Sequence, residues 1–318
     1  AGFNVFIPSV WHGRGTIWPS KLAPWDSAAM HVQGSDPLMY LLQVASRYGI
    51  EVHPWFTVAR RDRNFLPQFY HDGSVPETFD VHRAEFRDFI VALILEVVER
   101  YPVRGVNLDY IRTGGICTSA WCVDLYKKET GRNLLADVAG KYPDEFLAWQ
   151  DQAVEDIVRR VSQGARRLRP NIVISVDAAP GHWVDATQGR NSMKWADDRL
   201  IDVIYMMHYE PNPDWDALRA LQSRMKRPEA MVMNCGNFEE IQAPTTTVVP
   251  RQASHVADLL LRARAFQRGN GIGLYLYSML TDDQVEYLRG TVFQDTSRPS
   301  WKRALDAQIG ALSDVRVE

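Results

Sequence analysis

Gly105-Val106-Asn107-Leu108-Asp109-Tyr110-Ile111-Arg112 alternates small or apolar residues with polar ones and carries an acid near its end. Side chains of a β-strand alternate between two faces. Val106, Leu108 and Tyr110 are therefore expected on one face, packed against helices. Asn107 and Asp109 are expected on the other, pointing into the interior of a barrel. The acid then lies at the carboxyl end of its strand, where barrel enzymes do their chemistry.

Working outward, six further runs are short, rich in β-branched or aromatic residues, and bounded by Gly, Pro, Asn or Asp. With Val103–Ile111 they are Phe3–Val10, Ile50–Val58, Ile172–Ala179, Asp202–Tyr209, Ala230–Phe238 and Gly271–Met279. Between them Pro37–Tyr48, Arg83–Arg100, Phe146–Leu168 and Ser254–Arg268 repeat apolar residues at helical spacing, and Arg298–Leu312 reads as a closing helix. Regular β-then-α alternation predicts a parallel sheet covered by helices. Without a dinucleotide fingerprint after the first strand, the expected fold is α/β, a TIM-type (β/α)8 barrel with seven strands visible. The eighth strand, first in the barrel, is expected ahead of Ala1. No linker, repeat or low-complexity segment divides residues 1–318, so a single catalytic barrel domain is expected.

Composition narrows the function. The 318 residues suffice for one barrel with large loops. A net charge of -3 without a basic stripe argues against nucleic acid as a partner. No apolar run is long enough to span a bilayer. No signal peptide is visible, and the start at Ala1 reads as processed or trimmed. Cys117 and Cys122 share a loop-like stretch and read equally well as a disulfide, which would imply an oxidising compartment, or as two thiols; Cys235 reads as core.

Strand parity gathers polar residues at one end of one cavity. Glu51, His53, Trp55 and Thr57 are expected inward, opposite Val52, Phe56 and Val58. Ser175 and Asp177 are expected inward on the next strand, and His208 shares a face with Glu210. Glycoside hydrolysis needs two carboxyl groups, one protonating the leaving oxygen and the other attacking the sugar or activating water. Asp109 is expected as nucleophile or base, Glu210 as proton donor, and Asp177 as a group that tunes the pair or replaces one member. The competing reading of each is an ion pair with Arg112, Arg60 or Arg104. Trp11, Trp55, Trp183 and Tyr209 are candidate stacking platforms for sugar rings. His53, Arg60, Asn107, Arg112, His208, Asn234 and Tyr277 are candidate contacts to a polysaccharide or oligosaccharide substrate. No cofactor and no metal is expected, because no His-x-His, nucleophile elbow or phosphate loop occurs.

The same residues carry a family resemblance. Ile17-Trp18-Pro19-Ser20-Lys21-Leu22-Ala23-Pro24-Trp25, Asp36-Pro37-Leu38, Gly49-Ile50-Glu51-Val52-His53-Pro54-Trp55-Phe56 and the run ending Leu108-Asp109-Tyr110-Ile111-Arg112 resemble glycosyl hydrolase-like family 10. Ile204-Tyr205-Met206-Met207-His208-Tyr209 and Tyr275-Leu276-Tyr277-Ser278 fit the same pattern. The resemblance implies a TIM-type barrel from secreted, periplasmic or envelope-anchored bacterial proteins that act on peptide-stripped peptidoglycan strands or amino-sugar exopolysaccharides. It implies that Asp109 is the strand-end acid. The family's first strand and its helix are absent from this sequence, and the Gly114–Cys122 loop with its two cysteines is not a general family feature. The expectation is an endo-acting, extracytoplasmic glycosidase; the rivals are a non-catalytic glycan-binding barrel and a metal-dependent polysaccharide deacetylase.

Overall fold

The computed structural model describes residues 2–27, 36–182, 186–242, 245–266 and 271–295. Chain contacts group them into a larger compact unit, Ile7–Ile204, and a smaller one, Ala1–Phe6 with Tyr205–Glu318. The strands are β1 (Val5–Phe6), β2 (Ser9–Trp11), β3 (Glu51–Val52), β4 (Trp55–Thr57), β5 (Gly105–Asp109), β6 (Val173–Ala178), β7 (Val203–His208), β8 (Met231–Gly236), β9 (Phe238–Gln242), β10 (Thr246–Pro250) and β11 (Ile272–Tyr275). The helices are α1 (Pro37–Arg47), α2 (Ala84–Arg100), α3 (Ala120–Thr130), α4 (Leu134–Ala139), α5 (Asp144–Leu168), α6 (Ser192–Asp197), α7 (Trp215–Gln222), α8 (Ala253–Phe266) and α9 (Asp282–Thr291).

Within the larger unit the sheet runs β2-β4-β5-β6, every neighbouring pair parallel. Within the smaller unit β8 lies between β7 and β11. Each of the seven runs read as strands thus supplies one strand of a parallel α/β architecture. Two runs are broken by proline. Pro8 separates β1 from β2, and Pro54 separates β3 from β4. Proline has no N–H to give to a ladder. Its carbonyl still accepts: Pro8 O takes the Trp55 amide at 2.8 Å and Pro54 O takes the Asn107 amide at 2.9 Å.

Burial explains the covering layer. In α2 the residues Phe86, Ile90, Leu93, Ile94 and Val97 are all buried, and in α5 so are Phe146, Val154, Ile157, Val158 and Val161. The sheet residues expected to face helices, Val52, Phe56, Val106, Leu108, Ile174 and Val176, are buried as well. The two helices pack closely at Gly164, where an added Cβ would come within 2.6 Å of Leu95.

Several elements were not expected. The helices α3, α4, α6, α7 and α9 lie in stretches whose apolar spacing is too short or too irregular to read. The antiparallel β9–β10 hairpin is exposed along nearly its whole length, so it lacks the alternation that marks a half-buried strand. The expected closing helix Arg298–Leu312 lies outside the described residues. Among the described residues no helix is long and apolar enough to cross a membrane.

Cys117 and Cys122 form a disulfide, and Cys235 is a buried free thiol. The bridge joins a cluster of Tyr126, Leu134, Phe146 and Trp149 that ties α3, α4 and α5 together. Replacing both bridged cysteines by Ala is expected to lower unfolding stability by about 2 kcal/mol, the entropy released by opening so short a loop. Urea unfolding checks this, and reduced wild-type protein should show the same shift.

Candidate active site

The register of β5 against its neighbours builds the site. Trp55 pairs with Asn107 and Thr57 with Asp109 across β4 and β5. Asn107 pairs with Ser175 and Leu108 with Val176 across β5 and β6, so the next step sets Asp109 beside Asp177. Parallel strands keep paired residues on one face, about 4.8 Å apart. The face thus carries a lower row of Trp55, Asn107 and Ser175 and an upper row of Thr57, Asp109 and Asp177. Beneath them His53 forms the floor. It fits because position 105 is glycine: an added Cβ there would lie 2.6 Å from the His53 ring.

The lower row supports the upper one. Asn107 Nδ2 donates to Ser175 Oγ at 3.1 Å, and Ser175 Oγ donates to Val106 O at 3.2 Å. The Asn107 side chain also hydrogen-bonds Asp177, and the Trp55 indole N–H donates to Asp109. The Tyr110 amide donates to Asp109 Oδ1 at 2.6 Å.

Electrostatics set the two acids apart. Burial pushes Asp109 up to about 6, against the Tyr110 amide, the Arg112 charge, the Trp55 hydrogen bond and the Arg190 charge, which all pull it down. Burial and then the Asp109 charge push Asp177 well above the usual carboxylate range, and the Asn107 hydrogen bond offsets this only in part. Burial disfavours the anion at both acids, and at Asp177 the charge of Asp109 adds to it. Two acids with separated pKa values form an acid–base pair.

The loops after β5 and β6 are joined from below. Gln150 of α5 is buried; its Nε2 donates to Thr187 O at 2.9 Å and to Thr113 Oγ1 at 3.2 Å. Its Oε1 meets His82 Nε2 at 2.7 Å. The Thr113 amide donates to Gln188 O at 3.0 Å. Gly189 follows with φ +69°, so close to the helix that an added Cβ would lie 2.4 Å from Gln150 O. Arg112 precedes one joined segment and Arg190 ends the other, and both face Asp109.

Other expected site residues are distributed as follows. Trp11 is 0% exposed, enclosed by Phe65, Phe79 and Phe89; this corrects its reading as a stacking platform, since no ring face is open. His53 is likewise fully buried, with Nε2 3.4 Å from Glu51 Oε2, and burial lowers its pKa; it is a floor residue and not a sugar contact. Tyr110 does not face the helices. Its φ of +48° ends the strand and turns the ring to Arg60 and Arg112. Arg60 is exposed beside it. Trp183 lies outside the described residues.

Five candidates belong to the smaller unit. His208 Nδ1 lies 2.6 Å from Glu210 Oε2, and the Glu210 side chain is 69% exposed. Tyr209 stacks on Tyr275 at 4.9 Å, and its carbonyl accepts from the buried Arg251 at 3.1 Å. Asn234 is half-buried against Gly273, and Tyr277 is 73% exposed beside Phe6. Arg190 and Gln150 were missed by sequence reasoning: a single loop arginine and a single polar helix residue give no local signal.

The family model for glycosyl hydrolase-like 10 matches residues 1–67 and 67–237. Glycosyl hydrolase DigH of Escherichia coli K12 is 24% identical over 257 residues, covering 66% of this chain and 55% of its own length. Glycosyl hydrolase YngK of Bacillus subtilis is 24% identical over 213 residues, covering 58% of this chain and 38% of its own. The chain thus spans about half or less of these relatives. Among solved structures, the PgaB (BpsB) glycoside hydrolase domain of Bordetella bronchiseptica superposes with a TM-score of 0.63 at 11% identity, covering 90% of this chain and 88% of that one. Alpha-L-fucosidase isoenzyme 2 of Paenibacillus thiaminolyticus gives 0.60 at 15%, covering 92% and 43%. At such identities the likeness is one of fold, that of TIM-barrel glycoside hydrolases.

Because Asp109 titrates near 6 when folded and near 3.8 as an isolated carboxylate, the folded state holds a proton that the unfolded chain has released. Its contribution to stability is full below about pH 4 and is lost as pH rises through about 6. Asp109→Asn removes that loss and is expected to stabilise the protein by about 1–3 kcal/mol at pH 7 and by much less at pH 4. Urea unfolding of both proteins at the two pH values checks the sign.

Proposed function

The chain belongs to the glycosyl hydrolase-like 10 family, and from that premise we propose that it is a glycoside hydrolase, endo-acting on a bacterial polysaccharide. The reading is carried by one observation: Asp109 and Asp177 stand side by side on adjacent strands, both pushed up by burial and unequally supported by their neighbours. Asp177, holding the proton, is the general acid that protonates the glycosidic oxygen. Asp109, ionised and steadied by Trp55, Arg112 and Arg190, is the nucleophile or base. The assignment of Asp177 in place of Glu210 as donor follows from its half-buried place beside Asp109; Glu210 is exposed and paired with His208.

Adjacent strands are spaced about 4.8 Å apart, which favours a carboxyl pair closer than the roughly 6.5–9.5 Å that an inverting pair keeps open for water. The proposal is therefore retention of anomeric configuration. The substrate is an amino-sugar glycan, either peptidoglycan strands stripped of peptide or an exopolysaccharide, and the site of action is extracytoplasmic. The Cys117–Cys122 disulfide supports that compartment, since such bridges persist where conditions are oxidising.

Mass spectrometry of products from both polysaccharides should show shorter oligosaccharides, and proton NMR the retained anomer first. The kcat/KM profile should fall below about pH 6 as Asp109 takes a proton, and fall again at higher pH as Asp177 loses its own. Asp177→Asn should lower kcat about 10²–10⁴-fold and abolish the alkaline limb. Arg190→Met should move the acid limb to higher pH, because it removes a charge that holds Asp109 down. Release of acetate without chain cleavage, or cleavage unaffected by Asp109→Asn, would overturn the assignment.

A further inference from the structure

Tyr110 follows Asp109 in a conformation that a bulky side chain rarely adopts, φ +48°. Such a conformation persists only where the surroundings enforce it. Here they do: Tyr110 O accepts the amides of Ala59 at 3.2 Å and Arg112 at 2.9 Å, while the Tyr110 amide is tied to Asp109. The turn places the phenol ring within reach of two cations. Arg60 Cζ lies 5.4 Å and Arg112 Cζ 4.9 Å from its centroid, and Arg60 Nη1 donates to the Tyr110 hydroxyl at 3.1 Å.

Two guanidinium groups held around one neutral ring repel each other, and the aromatic face offsets that only in part. The neighbouring Arg14 is neutralised by Asp26 at 2.6 Å, whereas Arg60 makes no ion pair among the described residues. The chain as a whole is acidic, at -3, yet Arg60, Arg112 and Arg190 converge on this edge of the site. We propose that Arg60 and Arg112, fixed by Tyr110, form an anion subsite at the rim beside Asp109 that takes a carboxylate carried by a sugar unit of the glycan. The planar guanidinium fork binds carboxylates at two points, which an ammonium cannot do. The proposal rests on the hydrolase reading for the position of the sugar chain, and it narrows the substrate from amino-sugar glycans in general to carboxylated ones.

The test reads binding apart from cleavage. Asp177→Asn keeps the charge of the protonated acid and halts the reaction, so it serves as background. The probes are peptide-free peptidoglycan oligosaccharides, which bear lactyl carboxylates, and the same oligosaccharides after chemical reduction of those carboxylates to alcohols. Calorimetry should show at least about tenfold tighter binding of the carboxylated probe, weakening with added salt. Adding Arg60→Met should bring the two probes within about twofold, through loss of affinity for the carboxylated one, and Arg60→Lys should keep only part of the preference. Equal binding of both probes, binding of neither, or a preference that survives Arg60→Met overturns the subsite. A preference abolished by Arg60→Met, with no cleavage by the wild type, keeps the subsite and fails the hydrolase reading. Cleavage of both probes at equal kcat/KM without a binding preference does the reverse.

Discussion

Two carboxyl groups on neighbouring strands, in a place that water reaches poorly, cannot both be ionised. At about 5 Å and an effective dielectric near 20, two like charges repel by about 3 kcal/mol, and burial adds its own penalty. The fold accepts that conflict at Asp109 and Asp177 and resolves it unevenly. Asp109 receives a backbone amide, an indole N–H and two arginine charges, while Asp177 receives the Asn107 side chain. The difference in support, more than the identity of the residues, sets the two acids in unlike surroundings.

That asymmetry depends on parts well below the rim. Asn107 holds its position through Ser175, and Ser175 through the Val106 carbonyl, so the lower row is a chain of donors ending in the sheet backbone. Gln150 plays the matching role from the helix layer, joining the segments that lead to Arg112 and Arg190. A buried polar helix residue is costly unless fully used. Gln150 spends its amide on both loops and its carbonyl oxygen on His82. A shift of α5 would therefore reach Asp109 through both arginines at once.

Strand parity was enough to place Asn107, Asp109, Ser175 and Asp177 on one face, because Val106, Leu108, Ile174 and Val176 mark the opposite face without ambiguity. It failed where the chain leaves extended geometry. Tyr110 continues the alternation in sequence, but its left-handed turn takes it out of the sheet. Trp11 sits at a strand end, as a sugar platform would, yet aromatic neighbours distant in sequence enclose it. Arg190 reaches Asp109 through the turn at Gly189, and a pattern of apolar and polar residues carries no information about such a turn.

The disulfide belongs to the same logic. It closes the segment that runs from Asp109 through Tyr110 and Arg112 to α3, and it anchors that segment on the cluster around Phe146 and Trp149. Trp149 also stacks on His82, whose Nε2 meets Gln150. The loop after β5 is thus held at its far end by the bridge and near its start by Thr113. Just upstream of both fixings, the turn at Tyr110 is held by the Ala59 and Arg112 amides on its carbonyl and by its own amide on Asp109. Rigidity in the loop is what keeps charge directed at one carboxylate, and the site needs that constancy more than it needs any single contact.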